Sequence, residues 1–187
     1  KLDKVTPELR RKAKAVNFGI LYGQGPHGLA QTADIPYEEA RAFIDGYFAA
    51  YGNVRTYIDS TLEKARRDGY VETIFGRKRY LPEINAQNAM IRKGAERMAV
   101  NAPIQGSNAD IIKLAMIEIK KMLDISYPKT VAMLLQVHDE LVFEAEPRVI
   151  DEVVPKLKRL MENVIKLSVP VVVEAKRGKN WEVMKKI

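Results

Sequence analysis

The sequence predicts an α+β fold, with a helical lobe standing on a lobe that mixes strands and helices. Three observations carry this. The first hundred residues hold helical segments punctuated by Gly and Pro; VAMLLQV and LVFEAE flank the turn HDE as a β-hairpin; and PVVVEA near the end has the composition of a strand. A chain of 187 residues is long enough for one sizeable core, or for a core with a projecting subdomain. No internal repeat or low-complexity linker interrupts the order.

Thr6-Pro7 reads as an N-cap followed by proline at the first helical position, opening a helix toward Tyr22. Gly23, Gly25 and Pro26 interrupt it. Pro36 opens a second helix over about 36–50, Gly52-Asn53 punctuates, and a third runs to about Arg67 before Gly69. YVETIFGRKRYLP reads as a short hairpin with Gly76 near its turn. A helix over 86–101 is expected to stop before Pro103, and Ser107 with Asp110 reads as a capping box for a further helix to about Leu123. The first arm of the HDE hairpin is apolar enough to be buried on both faces. Pro147 begins the last long helix, to about Leu167, which Pro155 is expected to bend or interrupt.

Composition narrows the partners. An apolar content of 47% fits a folded chain, no run of 18 or more apolar residues supports a membrane span, and KLDKVTPELRR lacks a secretory leader. Zero cysteines exclude disulfides and thiolate chemistry and fit an intracellular protein. The net charge of +7 favours an anionic partner. Residues 64–93 carry eight basic side chains against three acidic ones, which is either a nucleic-acid face or an ordinary solvated one. Lys120, Lys121, Lys185 and Lys186 read as solubilising charge, and Trp181 as a packing residue.

Within the first helix Arg10, Lys14, Phe18 and Tyr22 recur every fourth residue and share one slowly turning stripe. Two cations followed by two aromatics match the polarity of a nucleoside triphosphate. Arg10 offers a planar fork to phosphate oxygens, Lys14 a compact charge, and Phe18 and Tyr22 surfaces for sugar and base. Gly23 beyond them permits a sharp exit. Spacing by itself leaves open a basic helix whose aromatics belong to the core. GQGPHG lacks the Lys-Ser/Thr of a phosphate-binding Walker loop.

His138-Asp139-Glu140 lies at the tip of the second hairpin. Carboxylates there suit Mg²⁺, although an acidic turn that merely solubilises is the other reading. On a regular strand Asp139 and Glu140 would point to opposite faces, giving one direct ligand and one auxiliary group. HDE is not HExxH, so a zinc-protease reading is poor.

The motifs RRKAKAVNFGILYG at 10–23, GRKRYLPEI at 76–84, ERMAVNAPIQGSNADIIKLAM at 96–116 and LLQVHDELVFE at 134–144 resemble, in that order, family A DNA polymerases of the bacterial DNA polymerase I type. The first is similar to the family's motif B on its fingers, the last to motif C in its palm. GKNWEV at 178–183 is similar to the family's ending, but Met184 and the lysine-rich tail depart from it. The likeness spans essentially the whole chain.

That resemblance implies helical fingers, mainly 1–84, on part of a polymerase palm, 85–187, whose antiparallel hairpin carries the catalytic acid. Arg10 and Lys14 would contact the triphosphate, with Lys14 also catalytic. Phe18 would pack on the sugar, and Tyr22 would lie beside the nascent pair. Asp139 would bind metal with Glu140 auxiliary, the two counting as catalytic. Gly23, Arg97, Asn101, Gln105 and His138 would face primer–template DNA. Two Mg²⁺ ions, with Mn²⁺ as a substitute, would serve addition of dNTPs to a primer 3′-hydroxyl. The family's motif A is not found, and Asp3, Asp34 and Asp110 stand in no similar motif. The resemblance therefore implies one part of a polymerase, completed by an N-terminal chain or segment that supplies motif A and the thumb. The alternative is a non-catalytic primer–template or nucleotide-binding module of the same fold. The expected setting is the cytoplasm, at the nucleoid in a bacterium, without a membrane.

Overall fold

The computed structural model describes residues 5–187, so Asp3 lies outside the described residues. The chain divides into two compact units, Lys1–Gln105 and Gly106–Ile187.

The first unit is helical, as expected. Helix α1 spans Pro7–Leu21, and the Thr6 hydroxyl accepts the Leu9 amide at 3.2 Å. Such a cap contributes about 1 kcal/mol. α2 spans Pro26–Ala33, a helix not anticipated from the sequence, with Pro26 at its first position and Asp34 left-handed at its end. α3 spans Tyr37–Ala50 and α4 spans Gly52–Asp68, stopped by left-handed Gly69. Ile20, Leu29 and Ala40 form the buried centre of α1–α3. Strands β1 (Tyr70–Glu72) and β2 (Lys78–Tyr80) pair antiparallel as the expected hairpin. Behind it, Ala65, Val71, Leu81, Ile84, Ala95 and Ala99 make a second cluster.

α5 corrects the reading of two helices. It runs unbroken from Ala89 to Ser126 with Pro103 inside. A proline there removes one i→i−4 bond and crowds the preceding carbonyls. Here the Tyr57 hydroxyl, from α4, donates to the Val100 carbonyl at 3.3 Å beside the disturbed turn. Buried Ala95, Ala99 and Val100 before the proline, and Ile112 and Ala115 after it, anchor both halves. Ser107 is accordingly a buried mid-helix residue, not a cap.

In the second unit β3 (Val131–Val137) and β4 (Glu140–Ala145) form the expected hairpin, with a register irregularity between Met133 and Leu135. Its inner face packs on Ile119, Leu123, Val153 and Leu157 of α5 and α6. The expectation that β3 is covered on both faces fails. Leu134 and Leu135 are each 52% exposed, because β3 pairs only with β4 among the described residues and the irregularity turns both outward. α6 spans Ile150–Asn163 after a short 3-10 turn, shorter than predicted, and Pro155 does not interrupt it. Tyr127 donates to Glu152 at 2.7 Å, and Lys156 bonds to both.

PVVVEA is not a strand. Val172 is 75% exposed and the Val173 amide donates to the Glu162 carboxylate at 2.9 Å. The pairing comes later, between β5 (Lys176–Gly178) and β6 (Met184–Lys186). Apolar alternation favours a strand only when a neighbour takes its backbone groups. Here the Ile187 amide reaches only the last residue of the segment, the Ala175 carbonyl at 3.1 Å, and regular pairing begins just beyond it.

Candidate nucleic-acid and nucleotide site

The α1 stripe exists as a surface feature. Ile20 faces the core at 1% exposure whereas Phe18 is 40% exposed, so Phe18 is not a core aromatic. The Phe18 and Tyr22 rings stack with centroids 5.9 Å apart and an 11° angle between planes. The Lys14 ammonium lies 5.8 Å from the centre of the Phe18 ring. Arg10 is exposed one turn earlier, its amide bonded to the Thr6 carbonyl. Neither Arg10 nor Lys14 has an acidic partner among the described residues, which leaves both charges for a ligand.

The stripe ends in a shaped turn. Tyr22 closes α1, and Gly23 adopts φ +82°, a conformation that costs an L-residue about 1–2 kcal/mol. The Gly23 and Gln24 amides return to the Ile20 and Gly19 carbonyls at 3.0 and 2.8 Å. The Gln24 side chain donates to Thr32 at 2.7 Å, tying the exit of α1 to α2. Sequence reasoning missed that tie. Its signal was the glutamine between two glycines just ahead of Pro26.

Other elements reach this turn. A Cβ on Gly23 would stand 3.6 Å from Cγ of Arg97 on α5, so those two predicted DNA-facing positions are neighbours. Burial pushes the Tyr57 phenol up, against the Thr61 hydrogen bond that lowers it, with a further upward push from Tyr22. Because α5 is continuous, Arg97, Asn101 and Gln105 keep helical spacing throughout, including the step across Pro103. Arg97 and Gln105 are exposed. Asn101 carries a buried Oδ1 with no hydrogen-bond partner among the described residues. Such an atom is held at a cost, which is relieved if the amide turns to a partner.

Much of the basic stretch 64–93, although on the surface, is engaged in contacts within the chain. Lys64 pairs with Asp68 and Glu72, Arg66 with Glu96 and Arg67 with Asp68. Arg92 donates to the Ala86 and Gln87 carbonyls. The Lys78 ammonium sits 4.2 Å from the centre of the Tyr70 ring. These contacts favour a scaffold role over a free polyanion face. Lys120 and Lys121 likewise pair locally, with Asp124 and Glu118.

In the second unit the HDE turn has a different geometry from the strand reading. His138 and Asp139 form the two-residue tip, and Glu140 is already on β4, opposite Val137. His138 has φ +53°, an uncommon conformation outside glycine, and its carbonyl accepts from the Gln136 side-chain Nε2 at 3.2 Å. All three side chains are exposed. Asp139 and Glu140 provide hard oxygen donors of the kind Mg²⁺ takes. Among the described residues, however, no group of three or more His, Cys, Asp and Glu side chains comes together to hold a metal ion. The pair suits contributors to a shared site and does not make a cage by itself. No helix among the described residues is long and apolar enough to cross a membrane.

Comparison with known proteins finds one family along nearly the whole chain. The family described as DNA polymerase family A matches residues 1–183. The thermostable DNA polymerase I of Thermus aquaticus is 49% identical over 179 residues, covering 96% of this chain and 21% of that protein. DNA polymerase I of Deinococcus radiodurans is 48% identical over 182 residues, covering 96% and 19%. The chain thus spans about a fifth of the length of these relatives. A solved structure of the POL domain of Pol1 from M. smegmatis, in complex with DNA primer-template and dNTP, superposes with a TM-score of 0.85. It is 45% identical, and the match covers 91% of this chain and 30% of that one.

Proposed function

Since this chain belongs to DNA polymerase family A, we propose that by itself it is a primer–template- and nucleotide-binding module of the polymerase fold. Residues 1–84 serve mainly as fingers and 85–187 as the later palm. The observation that carries this is the outward stripe of α1, where an unpaired cation, an exposed Phe18 and a stacked Tyr22 lead into the turn beside Arg97.

Each part has a physical task. Arg10 presents parallel donors to phosphate oxygens, and Lys14 adds a mobile point charge one turn on. Phe18 and Tyr22 give flat surfaces for sugar and base. Gly23 keeps the backbone free of a Cβ where a duplex would approach. Arg97, Asn101 and Gln105 carry donors suited to minor-groove acceptors, which are similarly placed in every base pair; such contacts sense pair shape without reading sequence. His138 lies at the primer end in this reading.

A second reading is favoured by Asp139 at the exposed hairpin tip and Glu140 beside it at the start of β4. Joined to a chain or segment that supplies further carboxylates, Asp139 would contribute a ligand and Glu140 an auxiliary group to a Mg²⁺ site, with Mn²⁺ as a substitute. The assembly would then extend primers with dNTPs.

The test has two parts. Calorimetric titration of dNTP and anisotropy of labelled primer–template should both report binding by the chain alone. Arg10→Ala or Lys14→Ala should weaken dNTP binding about 10-fold, the low end for a charge-assisted hydrogen bond. Primer extension with Mg²⁺ should then be absent for the chain alone. Extension in a mixture with an N-terminal polymerase fragment, abolished by Asp139→Ala, would establish the second reading. Extension by the chain alone would overturn the module.

A further inference from the structure

The β5–β6 ribbon carries a charge pattern that does not stabilise itself. Its register sets Lys176 opposite Lys186 and Arg177 opposite Lys185. Like charges directly opposite one another destabilise a strand pair. The chain relieves part of this. Lys186 bonds to Glu174, which also lies in the field of Lys176, and Arg177 reaches Asp151 at 3.2 Å. Lys179 and Lys185 have no acidic partner among the described residues, and Glu182 is the only acidic side chain from 176 to 187.

The loop joining the strands is built, and it holds out an aromatic. The Val183 amide donates to the Asn180 side chain at 3.0 Å. A Cβ on Gly178 would stand 1.9 Å from the Val183 carbonyl oxygen, so only glycine lets the ribbon close this tightly. Trp181, expected to be a packing residue, is 51% exposed at that loop. Met184 and Lys185-Lys186 stand where the sequence departs from the family's ending.

We propose that this ribbon is a docking surface for single-stranded nucleic acid, with Trp181 stacking on an unpaired base while Lys176, Lys179 and Lys185 meet backbone phosphates. Base–aromatic stacking tolerates any sequence because every base has a π-face, and a cationic track beside the aromatic follows the backbone. A duplex keeps its bases stacked inside and offers Trp181 no free face. Phosphates along the strand supply the counter-charge that the facing cations lack. The surface uses none of the residues assigned to the nucleotide grip and stands independently of that assignment.

The protein has a single tryptophan, so emission excited at the red edge of the absorption band, where tyrosine does not absorb, reports this loop. Titration with a short single-stranded oligothymidylate at low salt is expected to quench that emission saturably. Three phosphate contacts predict that log affinity falls with log salt at a slope of about −2. The double variant Lys179→Glu/Lys185→Glu, which turns the facing Arg177–Lys185 pair from like to opposite charge and so does not endanger the fold, should weaken quenching at least about 10-fold, with far-ultraviolet dichroism unchanged. Trp181→Ala, followed by anisotropy of a labelled oligomer, should lose about 5- to 100-fold. Arg10→Ala should leave the quenching intact, which separates this surface from the dNTP grip. No quenching, quenching unaltered by the double variant, or stronger quenching by blunt duplex or by anionic lipid vesicles would each overturn the proposal.

Discussion

Replacing Asn101 by leucine removes the one buried oxygen of the α5 stripe that has no partner among the described residues. An unsatisfied buried acceptor costs about 1–3 kcal/mol, and leucine has a similar branched outline without the polar atoms. In a helix interior leucine is also preferred over asparagine, by up to about 0.5 kcal/mol. Both effects act in one direction. Asn101→Leu is therefore expected to stabilise the chain by about 1–2 kcal/mol, read as a higher urea midpoint at unchanged m-value. At about 2–4 °C per kcal/mol for a chain of this size, the melting temperature should rise about 2–8 °C. Primer–template affinity, followed by anisotropy, should fall in the same variant. Stability gained at the expense of binding is the signature of a polar group retained for a ligand. A loss of 1 kcal/mol or more in Asn101→Leu would refute this reasoning, because it would mean the oxygen is satisfied in solution and serves the fold.

Two further perturbations are separable from it. Gly23→Ala forces a Cβ onto a backbone at φ +82° while meeting Arg97 at an ordinary contact distance, so strain should dominate and cost about 1–2 kcal/mol; thermal denaturation measures it, and Gly23→Asn, which tolerates that conformation better, should recover part of the loss. The Glu152 carboxyl is held below its usual range by Lys156 and then by the Tyr127 hydroxyl. A depressed acid stabilises the folded state above its unfolded value, about 4.3, and that contribution is lost as pH falls through the lower folded value. Melting curves from pH 6 to pH 3 should therefore fall less steeply for Glu152→Gln than for the parent.

What the sequence made legible followed from local rules. Thr6-Pro7, Gly69 and Gly76 act through their own backbone preferences, and the structure keeps all three assignments. The α1 stripe was legible because helical spacing is periodic; whether Phe18 belonged to a core was not, since that depends on Ile20 and Leu29 meeting on the opposite side. Pro103 misled because the Tyr57 hydroxyl that serves the neighbouring carbonyl comes from forty-three residues away, a partner no local window contains. PVVVEA misled for the converse reason: its composition is that of a strand, but strand formation needs a neighbour. Helix α2 was missed because its glycine and proline read as punctuation, although Pro26 opens it. At the hairpin tip, His138 and Asp139 were legible as a turn, while the assignment of Glu140 to β4 required the register.

The open side of β3 also governs how the chain behaves in solution. Two leucines stand outward on a strand with an unpaired edge among the described residues, an invitation to another copy to add its own strand. The register irregularity at Met133 and Leu135 works against a flat match, and the +7 charge repels a second copy at low ionic strength. Salt screens that repulsion and leaves the apolar edge as it was. Colloidal stability of this chain is therefore expected to decline as salt is added, and dilute low-salt buffer is the condition that favours single copies.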